Sequence, residues 1–473
     1  MKKNSNLLIH TIIMTIVNLI MKSAGVSFNA YLTSQIGSAG IGLFQLVMSV
    51  YSLAVTFSSA GIRLAATRLT VEIEASGKND INKTIGICIT YAGLCGSIIG
   101  IILFVFSDLI SSSWIGNALT AFPLRVLALS LPFVSMSSAL GGYFTATGQI
   151  PQYSFVQMIE QGVKITIVVF LLNKFSHLGE LYAAVSIVAG MTGAEIISFS
   201  LSTMLKKITS QPKTNKPASN IKRMLRVALP DAAGTIARNI LLTIEHLLIP
   251  KGFEKSGAGS AEALAAYGKI HGMAMPVLLY PSAILSSFAS LLIPELAGKN
   301  EIGDKKSISI TVSKSIKTTF IFSVICSLAF YIFAPFISYT VYKTNEAVTY
   351  IKILSPLVPV MYLDMITDGI LKGLDQQVYS MRYNIIDSLL CVFLVIFLLP
   401  NYAVKGYIFI LYSSEIINFY LSFGRLIKIC DIKFSQEPSK DNSRPFRLRR
   451  CSAFRKGCEY QTYRGRMKRN QVL

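Results

Sequence analysis

The sequence predicts an all-α polytopic membrane protein of about twelve transmembrane helices, arranged as two six-helix lobes related by a parallel pseudo-two-fold repeat. Three observations carry this expectation. Only 15% of the 473 residues are charged and 52% are hydrophobic, with a mean hydropathy of +0.53, whereas soluble domains carry about 25% charged residues. Stretches long enough to cross roughly 30 Å of hydrocarbon recur from one end of the chain to the other. The polar segment KKITSQPKTNKPASNIKRM, twice interrupted by proline, lies between the sixth and seventh of them, where it reads as a linker.

In chain order the spans fall at approximately 7–32, 40–62, 84–106, 118–147, 152–173, 179–204, 222–249, 262–296, 308–335, 348–372, 378–400 and 405–428. The first is too long for a signal peptide, contains Lys22 and ends in no cleavage site, so it reads as a spanning helix. The expected division is an N-terminal lobe over 1–204, a linker over 205–221, a C-terminal lobe over 222–428 and a basic, disordered tail over 429–473. One set of alternating loops holds twenty Lys/Arg and the other only five, Lys174, Lys251, Lys255, Lys343 and Lys405. The positive-inside rule then places both termini in the cytoplasm of a bacterial cell membrane.

The net charge of +21 raises the question of a polyanionic partner. Its distribution answers it: the tail alone has twelve Lys/Arg against four Asp/Glu, and most of the rest lies in one set of loops, as topology requires. No nucleic-acid partner is expected. Seven cysteines without paired spacing give no disulfide framework. No cofactor, metal box or catalytic signature is expected, and GSAGIG at 37–42 lacks the lysine and the preceding strand of a phosphate loop. The chain is not expected to be an enzyme.

The two halves resemble one another. A shift of 227 residues lays Pro132 on Pro359, Gly142 on Gly369, Gln149 on Gln376 and Gly179 on Gly406. After a seven-residue gap, AEIISF around Glu195 falls on SEIINF around Glu415. A shift of 216 brings Lys22 onto Arg238 and Asn29 onto Glu245. With six spans per half the repeats are parallel, related by an axis along the membrane normal.

The candidate site residues are charges inside apolar spans, each costing about 2.5–3.5 kcal/mol at the bilayer centre on insertion scales. Asp231, Arg238 and Glu245, spaced seven apart, share one helix face. Lys269 and His271 follow near the start of the eighth span. With Lys22 and Asn29 these are the expected lining of a central cavity. The cations suit a phosphate-bearing headgroup, which ammonium and guanidinium groups hold by charge-assisted hydrogen bonds; the alternative is an internal ion pair of Arg238 with Asp231 or Glu245. Asp364 and Asp368, like charges one turn apart, are candidates for binding a coupling cation. Glu160 and Lys164 read as a local helix pair, Arg63 and Arg68 as topology anchors. Pro132, Pro276, Pro281 and Pro359 are candidate bending points.

The runs GKIHGMAMPVLLYPSAILSSFASLLIPELA, LTIEHLLIPKGF, ILKGLDQQ and LLPNYAVKGYIF together resemble the polysaccharide transporter branch of the multidrug/oligosaccharidyl-lipid/polysaccharide exporter superfamily. This resemblance implies a MATE-like fold and an alternating-access flippase for a lipid-linked oligosaccharide or peptidoglycan precursor, in cell-wall or spore-cortex synthesis. The partners so implied are the lipid-linked sugar, membrane lipids and a coupling ion. A cation-coupled multidrug exporter of the same superfamily and a membrane scaffold for cell-wall synthesis are the alternatives. Relatives of this branch often continue into two further spans, whereas here IKICDIKF passes into the Arg-rich tail; a frameshifted or truncated terminus would produce such a tail.

Overall fold

A computed structural model of the chain describes residues 2–75, 81–209 and 221–430. Every regular element among them is helical. They are α1 (Lys2–Ser59), α2 (Ile62–Ala75), α3 (Ile81–Val105), α4 (Ser107–Leu109), α5 (Ala121–Ala128), α6 (Leu131–Ala146), α7 (Ile150–Phe175) and α8 (Glu180–Thr209), then α9 (Ile221–Lys255), α10 (Ser260–Tyr267), α11 (Met275–Leu278), α12 (Ser282–Ile302), α13 (Lys305–Tyr342), α14 (Val348–Leu354), α15 (Val358–Gly373) and α16 (Gln377–Ile429). π-helical turns at Ile110–Ile115 and Gly268–Ala274 join α4 towards α5 and α10 to α11.

Among the described residues eight helices are long and apolar enough to cross a membrane, and two bent pairs qualify as single broken spans. Two elements are twice the length of a span, and each is two helices joined at a non-helical residue. α1 has 58 residues with a non-helical Gly37 (φ 69°) inside, and α16 has 53 with Ala403 (φ 48°). Divided at these breaks, the layout is compatible with the twelve expected spans. The bent pairs are Ala118–Ala128 with Leu131–Ala146, at 46°, and Ser260–Leu278 with Ser282–Ile302, at 58°. Pro132 stands in the first turn of α6 and Pro281 at the N-cap of α12, where the missing N–H leaves no hydrogen bond unmade. Pro276 and Pro359 likewise occupy the first turns of α11 and α15. α8 runs to Thr209 and so takes in the first residues of the expected 205–221 linker, because LKKIT continues the helix without a breaker before Pro212. The rest of that linker, and the tail from 431, lie outside the described residues.

The 227-residue offset recurs in the backbone. α6 and α15 are both 16 residues long and begin and end at corresponding positions. The left-handed Gly148 and Asp375 correspond, as do the left-handed C-caps Gly116 and Lys343 and the N-caps Gln149 and Gln376.

The main core joins the second segment of α1 (Leu46, Val47, Val50) to Ile249 and Phe253 of α9, Tyr267 at the end of α10, Ile270 just beyond it, and Ile366 and Ile370 of α15. Smaller cores lie between α2, α3 and α6 and between α1, α7 and α8. The exposed apolar side chains are as informative: α13 alone presents Phe320, Ile321, Ile325, Leu328, Ile332, Phe333 and Phe336. A surface of this kind suits hydrocarbon and is rare on soluble monomers. Two segments distant in sequence approach closely at the Gly37 end. There Gly42 packs on the backbone of Leu264 and Gly268, and Gly268 on Ser38.

Candidate transport site

The first segment of α1 presents Asn18, Lys22 and Ser23 to the bend between α11 and α12. Lys22 Nζ donates to the Leu279 carbonyl at 3.1 Å and to Ser282 Oγ at 2.8 Å. Asn18 Nδ2 donates to Ser287 Oγ at 3.2 Å, and the Ser23 and Tyr280 hydroxyls are 2.8 Å apart. The bend supplies the carbonyl: the Leu279 oxygen accepts from the Ser282 N–H at 3.2 Å and the Ser282 hydroxyl at 2.6 Å as well as from Lys22. Lys22 is half-buried and its partners are neutral; among the described residues no carboxylate pairs with it. Asn29, two turns further along α1, is half-buried, and its carbonyl accepts from Thr33 Oγ1.

Arg238 on α9 has different surroundings. It is exposed, makes no ion pair among the described residues, and stands in the field of Asp364 from α15 and of Asp387 and Glu415 from α16. Its own-helix neighbour Glu245 is two turns away, about 10.5 Å along the axis, too far for direct pairing. Asp231 lies in α9, but its side chain is outside the described residues. Glu245 is buried, at 8% exposure, and shares the field of Asp387 and Glu415. Carboxylates therefore outnumber cations around Arg238.

The structure separates Asp364 from Asp368. Asp368 accepts from Lys372 Nζ at 2.6 Å and from the Ser380 hydroxyl. Asp364 turns to α16, where Asn418 Nδ2 donates to its Oδ2 at 3.1 Å and Ser422 also bonds it. Asp364 Oδ1 and Asn418 Oδ1 are buried without a hydrogen-bond partner, although buried polar atoms are ordinarily bonded. Asp387 accepts from Ser414 Oγ at 2.6 Å. Among the described residues no three His, Cys, Asp or Glu side chains are arranged to hold a metal ion. One carboxylate flanked by neutral amide and hydroxyl oxygens has the charge of a monovalent cation's counterpart rather than a divalent one's.

Lys269 and His271 have other direct partners. Lys269 pairs with Glu346 at 3.2 Å. His271 Nε2 is hydrogen-bonded to the Tyr407 hydroxyl at 2.5 Å, and His246 Nδ1 to that of Tyr267 at 2.8 Å. The two imidazoles meet edge to face at 4.9 Å, a geometry that polar aromatic rings favour. The sequence reading did not single out Asp387, Asn418 or Glu415 as site residues, although the internal repeat had already aligned Glu415 with Glu195.

The described residues form a strandless bundle of apolar helices that carries charges between its spans, the build of a multi-pass membrane protein, and the solved structures it resembles make the fold MATE-like. It resembles a multidrug resistance MATE family transporter of the MOP superfamily in an inward-facing conformation, with a TM-score of 0.69 at 13% identity, covering 88% of this chain and 98% of that one. It also resembles lipid II flippase MurJ in an inward closed conformation, with a TM-score of 0.65 at 16% identity, covering 88% and 87%. The chain belongs to the polysaccharide biosynthesis protein family, whose model matches residues 7–300; the MatE model matches 256–398. Stage V sporulation protein B of Bacillus subtilis (strain 168) is 22% identical over 407 residues, covering 84% of this chain and 79% of that relative.

Proposed function

We propose that the protein is a flippase that carries a lipid-linked oligosaccharide or peptidoglycan precursor across the cell membrane, in cell-wall or spore-cortex synthesis. Lobes 1–204 and 222–428 rock about the substrate in alternating access, with both termini cytoplasmic. The observation that carries this reading is Lys22: an ammonium inside a span, half-buried and, among the described residues, held by the neutral oxygens of Leu279 and Ser282. A charge so placed lacks a counter-ion, and a headgroup phosphate supplies one by charge-assisted hydrogen bonds. The kinship with a sporulation protein and the fold shared with a lipid II flippase support the same substrate class.

The energy for directional movement comes, on this reading, from a monovalent cation bound beside Asp364, Asn418 and Ser422, with Glu245, Asp387 and Glu415 supplying further negative field. The same acidic group favours a second reading, a cation-coupled exporter of cationic small molecules. Reconstituted vesicles separate the two. A flippase moves a fluorescent undecaprenyl-pyrophosphate-linked disaccharide between leaflets and leaves a cationic dye in place. Dye extrusion driven by a sodium or proton gradient, with no movement of the lipid, would establish the exporter instead.

A further inference from the structure

The offset that aligns Gln149 with Gln376 also lays Glu160 on Asp387 and Lys164 on Cys391. Each of the two acids accepts a hydrogen bond from a serine. Ser198 Oγ donates to Glu160 Oε2 at 2.7 Å, and Ser414 Oγ donates to Asp387 Oδ1 at 2.6 Å, each serine coming from the segment that follows. That segment carries a second acid in each half, Glu195 and Glu415. The halves differ in what stands beside these acids. In the first, Lys164 lies in the field of both Glu160 and Glu195, with its Nζ 6.0 Å from the centre of the Phe28 ring. Glu160 thus takes its hydrogen bond from Ser198, and the lysine serves the pair of acids rather than one neighbour on its own helix.

In the second half the matching position is Cys391. Its thiol is hydrogen-bonded with Ser414 and lies in the field of Glu245, Asp387 and Glu415. Among the described residues no ammonium stands there, and Arg238 is the cation that the acids face. Asn418, only 7% exposed, leaves its Oδ1 without a partner while its Nδ2 bonds Asp364, whose own Oδ1 is also unpartnered. Carboxylates within a span are sustained by a counter-charge. The first half sets one ammonium, Lys164, against two acids; the second sets one guanidinium, Arg238, against three, Asp364, Asp387 and Glu415, and has oxygens left over.

We propose that Lys164 is the fixed counter-ion of the first half: its ammonium stands permanently where the second half, with Cys391 at the matching position, takes up a mobile monovalent cation. The inference rests on the cation coupling proposed above and adds that the repeat has made its two ion sites unequal. Only one half responds to the ion gradient, so one cation accompanies each cycle. The lysine keeps the first half indifferent to the ion.

The test counts sodium ions bound by the purified full-length protein, using radiosodium dialysis against a choline background at constant ionic strength. The wild type binds one per chain. Lys164→Cys, which gives the first half the second half's residue, binds two and becomes sodium-dependent in its thermal stability. Cys391→Lys, the reverse exchange, binds none, and the double exchange binds one. A folded Lys164→Cys protein that still binds one ion overturns the inference and leaves the coupling reading standing, as does a wild type that binds two. A wild type that binds none overturns both. Should Lys164→Cys elute as aggregate, Cys391→Lys decides: undiminished sodium binding by that variant refutes the matching of the two positions.

Discussion

Adding one methyl group at Gly268 should open the seam at the Gly37 end of the molecule. A Cβ there would overlap the Ser38 carbonyl, and would lie 2.8 Å from Gly42 N and 3.0 Å from Ile41 Cγ2; a Cβ on Gly42 would overlap the Leu264 carbonyl. The obstructing atoms are mostly backbone, which cannot rotate away, so the two segments must part by roughly 1 Å to restore the usual heavy-atom separation of about 3.5–4.0 Å. Overpacking of this kind costs about 1–3 kcal/mol. If the seam is one side of an alternating-access equilibrium, that cost shifts the balance by roughly 5- to 150-fold. The assay is maleimide labelling of a single cysteine at position 41, which is fully buried in the closed seam, in an otherwise cysteine-free protein. Gly268→Ala should raise the labelling rate at least fivefold. Gly298→Ala, where nothing lies within 4 Å of an added Cβ, should leave it unchanged. Equal labelling and equal thermal stability in the two variants would refute the argument that this contact holds the seam shut.

Three further outcomes follow from other contacts. Tyr407→Phe leaves His271 without its hydrogen-bond partner inside the packed His–Tyr group, and an orphaned buried polar atom costs about 1–3 kcal/mol; the melting temperature in detergent should fall by several degrees. Lys269→Ala breaks an ion pair whose side chains are 28% and 44% exposed. Such pairs contribute about 0–1 kcal/mol, so both stability and lipid movement should stay close to wild type. Asp304, in the loop before α13, accepts from the backbone N–H of Ser307 at 3.0 Å, and its hydrogen bonds to Ser307 hold its carboxyl below the ordinary carboxylate value. A depressed carboxylate contributes stability above its unfolded value and loses it as pH falls through the folded one. Amide protection in the first turn of α13, the intrinsic exchange rate over the observed rate at the same pH, should therefore fall on acidification below about pH 4, and Asp304→Ala should show the lower protection already at pH 7.

Much of the fold was legible because the bilayer leaves few alternatives. Backbone polar groups within hydrocarbon have to be bonded internally, so an apolar run of sufficient length is read as a helix with little ambiguity. The expected span at 118–147 is found as the bent pair Ala118–Ala128 and Leu131–Ala146, and that at 348–372 as Val348–Gly373. The expected gaps at 33–39 and 401–404 contain the non-helical Gly37 and Ala403, but hydropathy did not show that Gly268–Ala274 would widen into a π turn that brings glycine onto glycine. That feature depends on what packs against it.

The site was legible one charge at a time, and its grouping was not. Lys22 was identified from its depth in an apolar run, but its partners lie more than 250 residues away, at Leu279 and Ser282. Arg238 was set beside Asp231 and Glu245 because seven-residue spacing puts them on one face. The acids in whose field it stands come from α15 and α16 instead. Asp364 and Asp368 looked like a repelling pair, yet Lys372 one turn on takes up Asp368 and leaves Asp364 to Asn418. The repeat held the missing signal: the offset that matched prolines and glycines also places Asp387 opposite Glu160, two charges inside spans at corresponding positions.

The flippase account depends most directly on the ammonium at Lys22. Its decisive measurement is the initial rate at which vesicles containing the Lys22→Met protein move an undecaprenyl-pyrophosphate-linked disaccharide between leaflets. A hydrogen bond to a charged group contributes about 1.5–3 kcal/mol, so the rate at limiting substrate should fall roughly 10- to 150-fold, and Lys22→Arg should restore most of it. A folded Lys22→Met protein that moves the lipid at the wild-type rate would contradict the account.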